Sequence, residues 1–110
     1  MQIKKFDNAE EIIRMILREN KSSGKAYELL GLIKEKEQAY VDAAESYEKA
    51  FELTLKKSAG IGFRLAYNYM KAKRYVDCLE TCRLVLEANP RYDPIRQEIQ
   101  SKVMEVIRWW

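Results

Sequence analysis

Chemistry would most readily come from Cys78 and Cys82, one helical turn apart, from the carboxylate pairs Glu10/Glu11 and Glu35/Glu37, and from the trio Glu45, Glu48 and Glu52. Thiols four residues apart on a helix can share a metal or pair on oxidation, and facing carboxylates can divide acid and base work. The rest of the chain argues against both. There is no histidine, which removes Ser-His and Cys-His couples and leaves zinc only two thiols and carboxylates. The two cysteines therefore read as small apolar fillers of a protein from a reducing compartment. The carboxylates interleave with Lys34, Lys36 and Lys49 at helical spacing, the pattern of a solvated, ion-paired face. The chain is expected to be no enzyme and to carry no catalytic, cofactor-binding or metal-binding residue.

The elements that would position these side chains are helices. The chain has 110 residues, 47% hydrophobic and 34% charged, with 4 Gly and 2 Pro, too few turn-formers for a β architecture and enough apolar residues for one packed core. Lys+Arg of 20 against Asp+Glu of 17 gives +3, too balanced for a nucleic-acid binder. No apolar run approaches the ~20 residues that span a bilayer, and no apolar signal core follows Met1–Phe6. A soluble, cytoplasmic protein is expected.

Six stretches carry apolar residues at helical spacing. The first holds Ala9, Ile12, Ile13 and Ile16 behind a capping-box-like Asp7 and Glu10. The second holds Tyr27, Leu30, Gly31 and Ile33, and the third Tyr40, Ala43, Ala44, Tyr47, Ala50 and Phe51. After a break at 58–60 come Leu65, Ala66, Tyr69 and Met70, then Tyr75, Cys78, Leu79, Cys82, Val85 and Leu86, ended by Asn89-Pro90. The last stretch opens at Asp93-Pro94, read as an N-cap followed by proline, and carries Ile95, Ile99, Val103, Val106 and Ile107.

The third and fifth stretches are one pattern used twice. Tyr40, Ala43, Tyr47 and Ala50 stand 35 residues before Tyr75, Cys78, Cys82 and Val85, and Leu30-Gly31 stands 35 before Leu65-Ala66. Shifted by 34, Phe6, Ala9, Ile13 and Ile16 join the series, so the first helix reads as the second helix of a hairpin. Hairpins recurring at this period cannot bury both faces alone and must stack into an α-solenoid. Small residues at Gly31 and Ala66 let paired helices approach, and the aromatics Tyr40 and Tyr75 fill the wedge near each turn.

These landmarks resemble the tetratricopeptide repeat: Tyr27, Leu30, Gly31, Ala43, Tyr47 and Ala50 in one unit, and Leu65, Ala66, Tyr69, Cys78, Cys82, Val85 and Pro90 in the next. Three positions depart from it: Lys34 for an aromatic, Gly62 for a large residue, and Leu55 for proline. The resemblance implies an all-α right-handed superhelix of five to six antiparallel helices with a C-terminal capping helix. The expected division is a single domain over 1–110: the second helix of a truncated repeat at 6–22, repeats at 24–57 and 59–92, and a capping helix at 93–110. The strings from Lys25 to Tyr40, Gly62 to Asp77 and Val85 to Pro90, with Ile95-Arg96, further resemble the C-terminal end of the large tetratricopeptide-repeat subunits of the intraflagellar transport A complex. That resemblance implies a scaffold binding other subunits of the complex in retrograde ciliary transport and ciliary assembly, located at the cilium, basal body and axoneme, without membrane insertion. The alternative is a stand-alone adaptor or co-chaperone module that takes a short peptide or partner helix in its concave groove.

Candidate partner-binding residues are Phe63, Arg64, Tyr67, Met70 and Lys71, on the outward face of the second unit's first helix, and Trp109 and Trp110, since aromatics beside cations suit protein contacts. The rival reading is that the final helix covers the first group. Lys71, Lys73 and Arg74 read as a solvated turn or a grip for an acidic partner. The face of Phe6, Ala9, Ile13 and Ile16, lacking a hairpin mate, is expected to drive self-association.

Overall fold

A computed structural model describes the backbone of residues 2–108 and the side-chain surroundings of residues 8–108; Phe6, Trp109 and Trp110 thus lie outside the described residues as far as their contacts go. The chain is all helix: α1 (Gln2–Glu19), α2 (Gly24–Lys36), α3 (Tyr40–Leu53), α4 (Ala59–Lys71), α5 (Tyr75–Ala88), then a closing helix made of α6 (Asp93–Ile95), a π turn (Arg96–Gln100) and α7 (Ser101–Arg108). Each helix packs on the next, and the closing helix lies against α4 and α5, giving an elongated body of 42 × 31 × 18 Å.

The helices are started and stopped by chemistry that repeats with the hairpins. Ser23 and Ser58, 35 residues apart, cap α2 and α4: each hydroxyl oxygen accepts from the amide three residues on, at 3.2 Å from Ala26 and 3.3 Å from Ile61. No side chain caps α3 or α5. The turns before them fold alike instead. Gln38 and Lys73 both sit at φ 62, the left-handed residue of a Schellman turn. Its two bonds are Gln38 N–H to Glu35 O and Ala39 N–H to Lys34 O, each 2.9 Å, repeated as Lys73 to Met70 at 3.0 Å and Arg74 to Tyr69 at 2.9 Å. The turn after α3 is of the same kind, with Leu55 at φ 57 and Lys56 at φ 59. Proline, locked near −65°, cannot take that conformation, which explains Leu55 at a position where the repeat favours proline.

The other two departures also have local reasons. Lys34 Nζ reaches Glu10 at 2.9 Å and Glu37 at 3.5 Å, so it ties α1 to α2 as an aromatic could not. At Gly62 an added Cβ would stand 2.2 Å from Val85 Cγ2 and 3.1 Å from the Phe51 ring; the space a large residue would need is already filled from α3 and α5. Gly31 is the matching close approach in the first hairpin, where a Cβ would come within 2.9 Å of the Tyr47 ring.

Burial splits into two clusters. The larger joins Ala43, Tyr47, Leu65, Ala66, Tyr69, Cys78, Cys82 and Val85 to Ile95, Ile99 and Val103; the smaller joins Ile13 of α1 to Ala26, Leu30 and Ile33 of α2.

Three sequence expectations are corrected. α1 opens at Gln2, not at the Asp7/Glu10 box, because nothing in residues 2–6 breaks a helix. Tyr92, not Asp93, is the cap of the closing helix; Asp93 and Pro94 lie in its first turn, and Asp93 pairs with Arg96 at 3.7 Å. Ile13 and Ala9 do not belong to an open face: both pack on α2, and the open face of α1 carries Ile12, Met15 and Ile16. The closing helix is also less regular than its stripe suggests. Strict four-residue steps from Ile95 to Ile99 to Val103 would each drift ~40° around an ideal helix. The widened turn, where the Ser101 amide and hydroxyl both donate to Arg96 O, absorbs that drift and keeps all three buried.

Candidate protein-interaction groove

The first helices of the two hairpins, α2 and α4, line one side of the body and are joined there by a polar clasp. Glu35 projects from α2. Its Oε1 accepts from Asn68 Nδ2 of α4 at 2.9 Å and from the Tyr47 hydroxyl of α3 at 3.5 Å, while Asn68 Nδ2 also donates to Arg64 O at 2.8 Å. Asn68 is fully buried, and its Oδ1 meets no donor among the described residues. Burial, with the Glu35 charge beside it, pushes the Tyr47 phenol up to about 12. A second tie crosses from α4 to α3, where the Tyr69 hydroxyl donates to Glu48; burial and that carboxylate raise the Tyr69 phenol well above its usual range.

Beside the clasp is a slot of about 400 Å³ lined by Glu35, Gly60, Phe63, Arg64, Tyr67 and Tyr92. Phe63 and Tyr92 meet edge to face, ring centres 6.4 Å apart, so the linker before the closing helix forms one wall. Lys71 Nζ lies 5.8 Å from the Tyr67 ring centre and 5.9 Å from that of Tyr40. Of the expected partner-binding residues, α4 thus presents Phe63, Arg64 and Tyr67 together at the slot, with Lys71 further along the same helix. Met70 is half-buried against the core, and Trp109 and Trp110 lie outside the described residues. The expected cover is partial: Tyr92 walls the slot, while Ile95, Ile99 and Val103 of the closing helix turn into the core.

The turn cations do not converge. Arg74 pairs with Asp77 at 2.9 Å and lies over the Tyr69 ring at 5.1 Å, Lys71 is held between aromatics, and Lys73 points outward at the Schellman turn. Cys78 and Cys82 are free and fully buried; the hydrogen bond between them and burial hold the Cys78 thiol far above its ordinary range, so it offers no thiolate. No cluster that could hold a metal occurs among the described residues, and no described helix is long and apolar enough to cross a membrane. Sequence reasoning missed the clasp, Gly60 and Tyr92. Asn68 inside an apolar stripe was the one legible signal, since a buried amide demands a partner.

A stack of hairpins with an aromatic-walled slot beside α4 is a helical-repeat scaffold. Comparison with known proteins gives the family. Residues 1–104 match the one described as the tetratricopeptide repeat protein 21 C-terminal ARM domain, and the chain belongs to it. It is 47% identical over 108 residues to human tetratricopeptide repeat protein 21B, 47% over 104 to mouse tetratricopeptide repeat protein 21A, and 44% over 104 to the Caenorhabditis elegans homolog. These alignments cover 98%, 94% and 94% of this chain but 8% of each relative.

Proposed function

We propose that this chain is a protein-binding section of a longer helical scaffold, and that it serves the intraflagellar transport A complex in retrograde ciliary transport and ciliary assembly. One observation carries the first half. Ile12, Ser46 and Thr81 hold one position of the repeat, and Ile16, Ala50 and Val85 another. Ser46 and Thr81 are 9% and 5% exposed, Ala50 and Val85 are both at 0%, yet Ile12 and Ile16 are 59% and 45% exposed. On α5, Val85 presses on Gly62 of α4, the first helix of its own hairpin; on α1 the same face is apolar and exposed among the described residues. A preceding first helix would cover it, in keeping with relatives far longer than this chain. Without that helix the face can pair with a second copy, which is how self-association would arise.

The assignment to the transport complex rests on the likeness in sequence to that subunit family, and residence at the cilium, basal body and axoneme is proposed with it. Affinity capture from ciliated-cell extract tests it: transport A subunits should co-purify, and their consistent absence, with the captured chain shown to be folded, would overturn the assignment.

A further inference from the structure

We propose that one edge of the stack, the row of turns entering α2, α4 and the closing helix, rests on an anionic membrane surface. The three turns, residues 20–23, 54–58 and 89–92, stand side by side. A Cβ at Gly24 would lie 3.8 Å from Leu53 Cβ, which sets the first turn against the second, and Asn89 Nδ2 donates to Lys57 O at 3.1 Å, which ties the second to the third. At ~10 Å per helix layer the row is roughly 20 Å long. It holds Lys21, Lys56, Lys57 and Arg91, all exposed, and no carboxylate. Among the described residues none of these four makes an ion pair. Of the acids at the flanking helix ends, Glu87 pairs with Arg83 at 2.6 Å and Asp93 with Arg96 at 3.7 Å, which leaves four cations against Glu19 and Glu52. The opposite edge differs: in its turns Glu37 pairs with Lys34 at 3.5 Å and Arg74 with Asp77 at 2.9 Å, leaving Lys73.

The middle turn adds an apolar tip. Leu55 is 76% exposed and Leu53 43%. Leu55 is held outward by its backbone, with φ 57, its own N–H donating to Glu52 O at 2.9 Å and that of Lys56 to Phe51 O at 3.0 Å. Cations alone would suit any anion. Leucines standing out among them suit lipid, where lysines meet the headgroup charge and the leucine enters the interface without crossing it. The acids lie elsewhere: α3 carries Asp42, Glu45, Glu48 and Glu52 against Lys49. A negative surface repels that face and so sets the stack edge-on.

Sedimentation of the folded chain with phosphatidylcholine vesicles carrying about 30% phosphatidylserine tests the proposal. Binding is expected there and not to pure phosphatidylcholine, and it should fall as salt rises. Lys21→Glu, Lys57→Glu and Arg91→Glu, one from each turn, should each weaken it about fivefold or more. Lys73→Glu and Lys102→Glu change the net charge equally and should stay within about twofold. Leu55→Ser should weaken it about threefold or more, with the melting temperature unchanged. Equal sedimentation with uncharged vesicles, equal sensitivity to the two control lysines, or no effect of the three turn reversals would overturn the proposal. So would indifference to Leu55→Ser together with tighter binding to soluble polyglutamate, which would give the edge to an acidic protein. The scaffold reading uses none of these residues, so it stands or falls separately.

Discussion

The two hairpins, α2–α3 and α4–α5, have the same caps, turns and spacing but fill their interiors by opposite means. In the first, glycine at 31 lets the Tyr47 ring come close against α2; in the second, the matching positions hold Ala66 and the small thiol of Cys82, both fully buried in one cluster. The trade is reversed one turn earlier, where half-buried Tyr27 in the first hairpin corresponds to Gly62 in the second, pressed on by Val85 and Phe51. Repeats therefore preserve the distance between helices, not the identity of the residue that fills it, because cores are held to a packing density and not to a side-chain list.

Truncation at the ring position should break the symmetry most. Tyr47→Ala is expected to cost about 3–5 kcal/mol in urea denaturation, Cys82→Ala about 1 kcal/mol; equal costs would mean the hairpins share one packing scheme. Next comes insertion at the close approach: Gly62→Leu should cost about 3 kcal/mol, since its Cβ alone collides with Val85, whereas Tyr27→Gly should cost about 1–2 kcal/mol. A tolerated Gly62→Leu would contradict the reversed trade.

Alkali sharpens the comparison further. The Tyr47 phenol is raised above its unfolded value, so the neutral form belongs to the fold; its contribution is intact below pH ~10 and is lost as pH rises through about 12. Melting followed over that window should show a loss of about 2–3 kcal/mol that Tyr47→Phe reduces. A wild-type loss equal to that of Tyr47→Phe would contradict the buried phenol. The smallest effect tests what the hairpins share. Gln38→Gly and Lys73→Gly each relieve a left-handed side chain and should stabilise by up to about 1 kcal/mol, equally in both turns; unequal gains would show that the turns are not equivalent.

Much of this was legible beforehand in particular residues. The 35-residue spacing of Gly31 and Ala66, and of Ala43 and Cys78, announced stacked hairpins because buried positions tolerate only small or matching residues. Ser23 and Ser58 carried the same period as helix caps, a signal available but unused. The slot was half legible: Phe63, Arg64, Tyr67 and Lys71 share one helix face by spacing alone. Tyr92 comes from a linker, and Glu35 meets Asn68 across 33 residues of chain, and no periodicity reports on a contact between separate elements.

The sequence alone determined the helices, their period and the faces they bury, because these follow from side-chain volume and polarity at i, i+3 and i+4. Tertiary structure decided which side of α1 stays open, how the closing helix widens a turn to keep Ile95, Ile99 and Val103 inward, and that the Glu35 carboxylate of α2 meets Asn68 of α4 and Tyr47 of α3. Those are outcomes of helices meeting in space, where a shift of one side chain's width changes which groups touch.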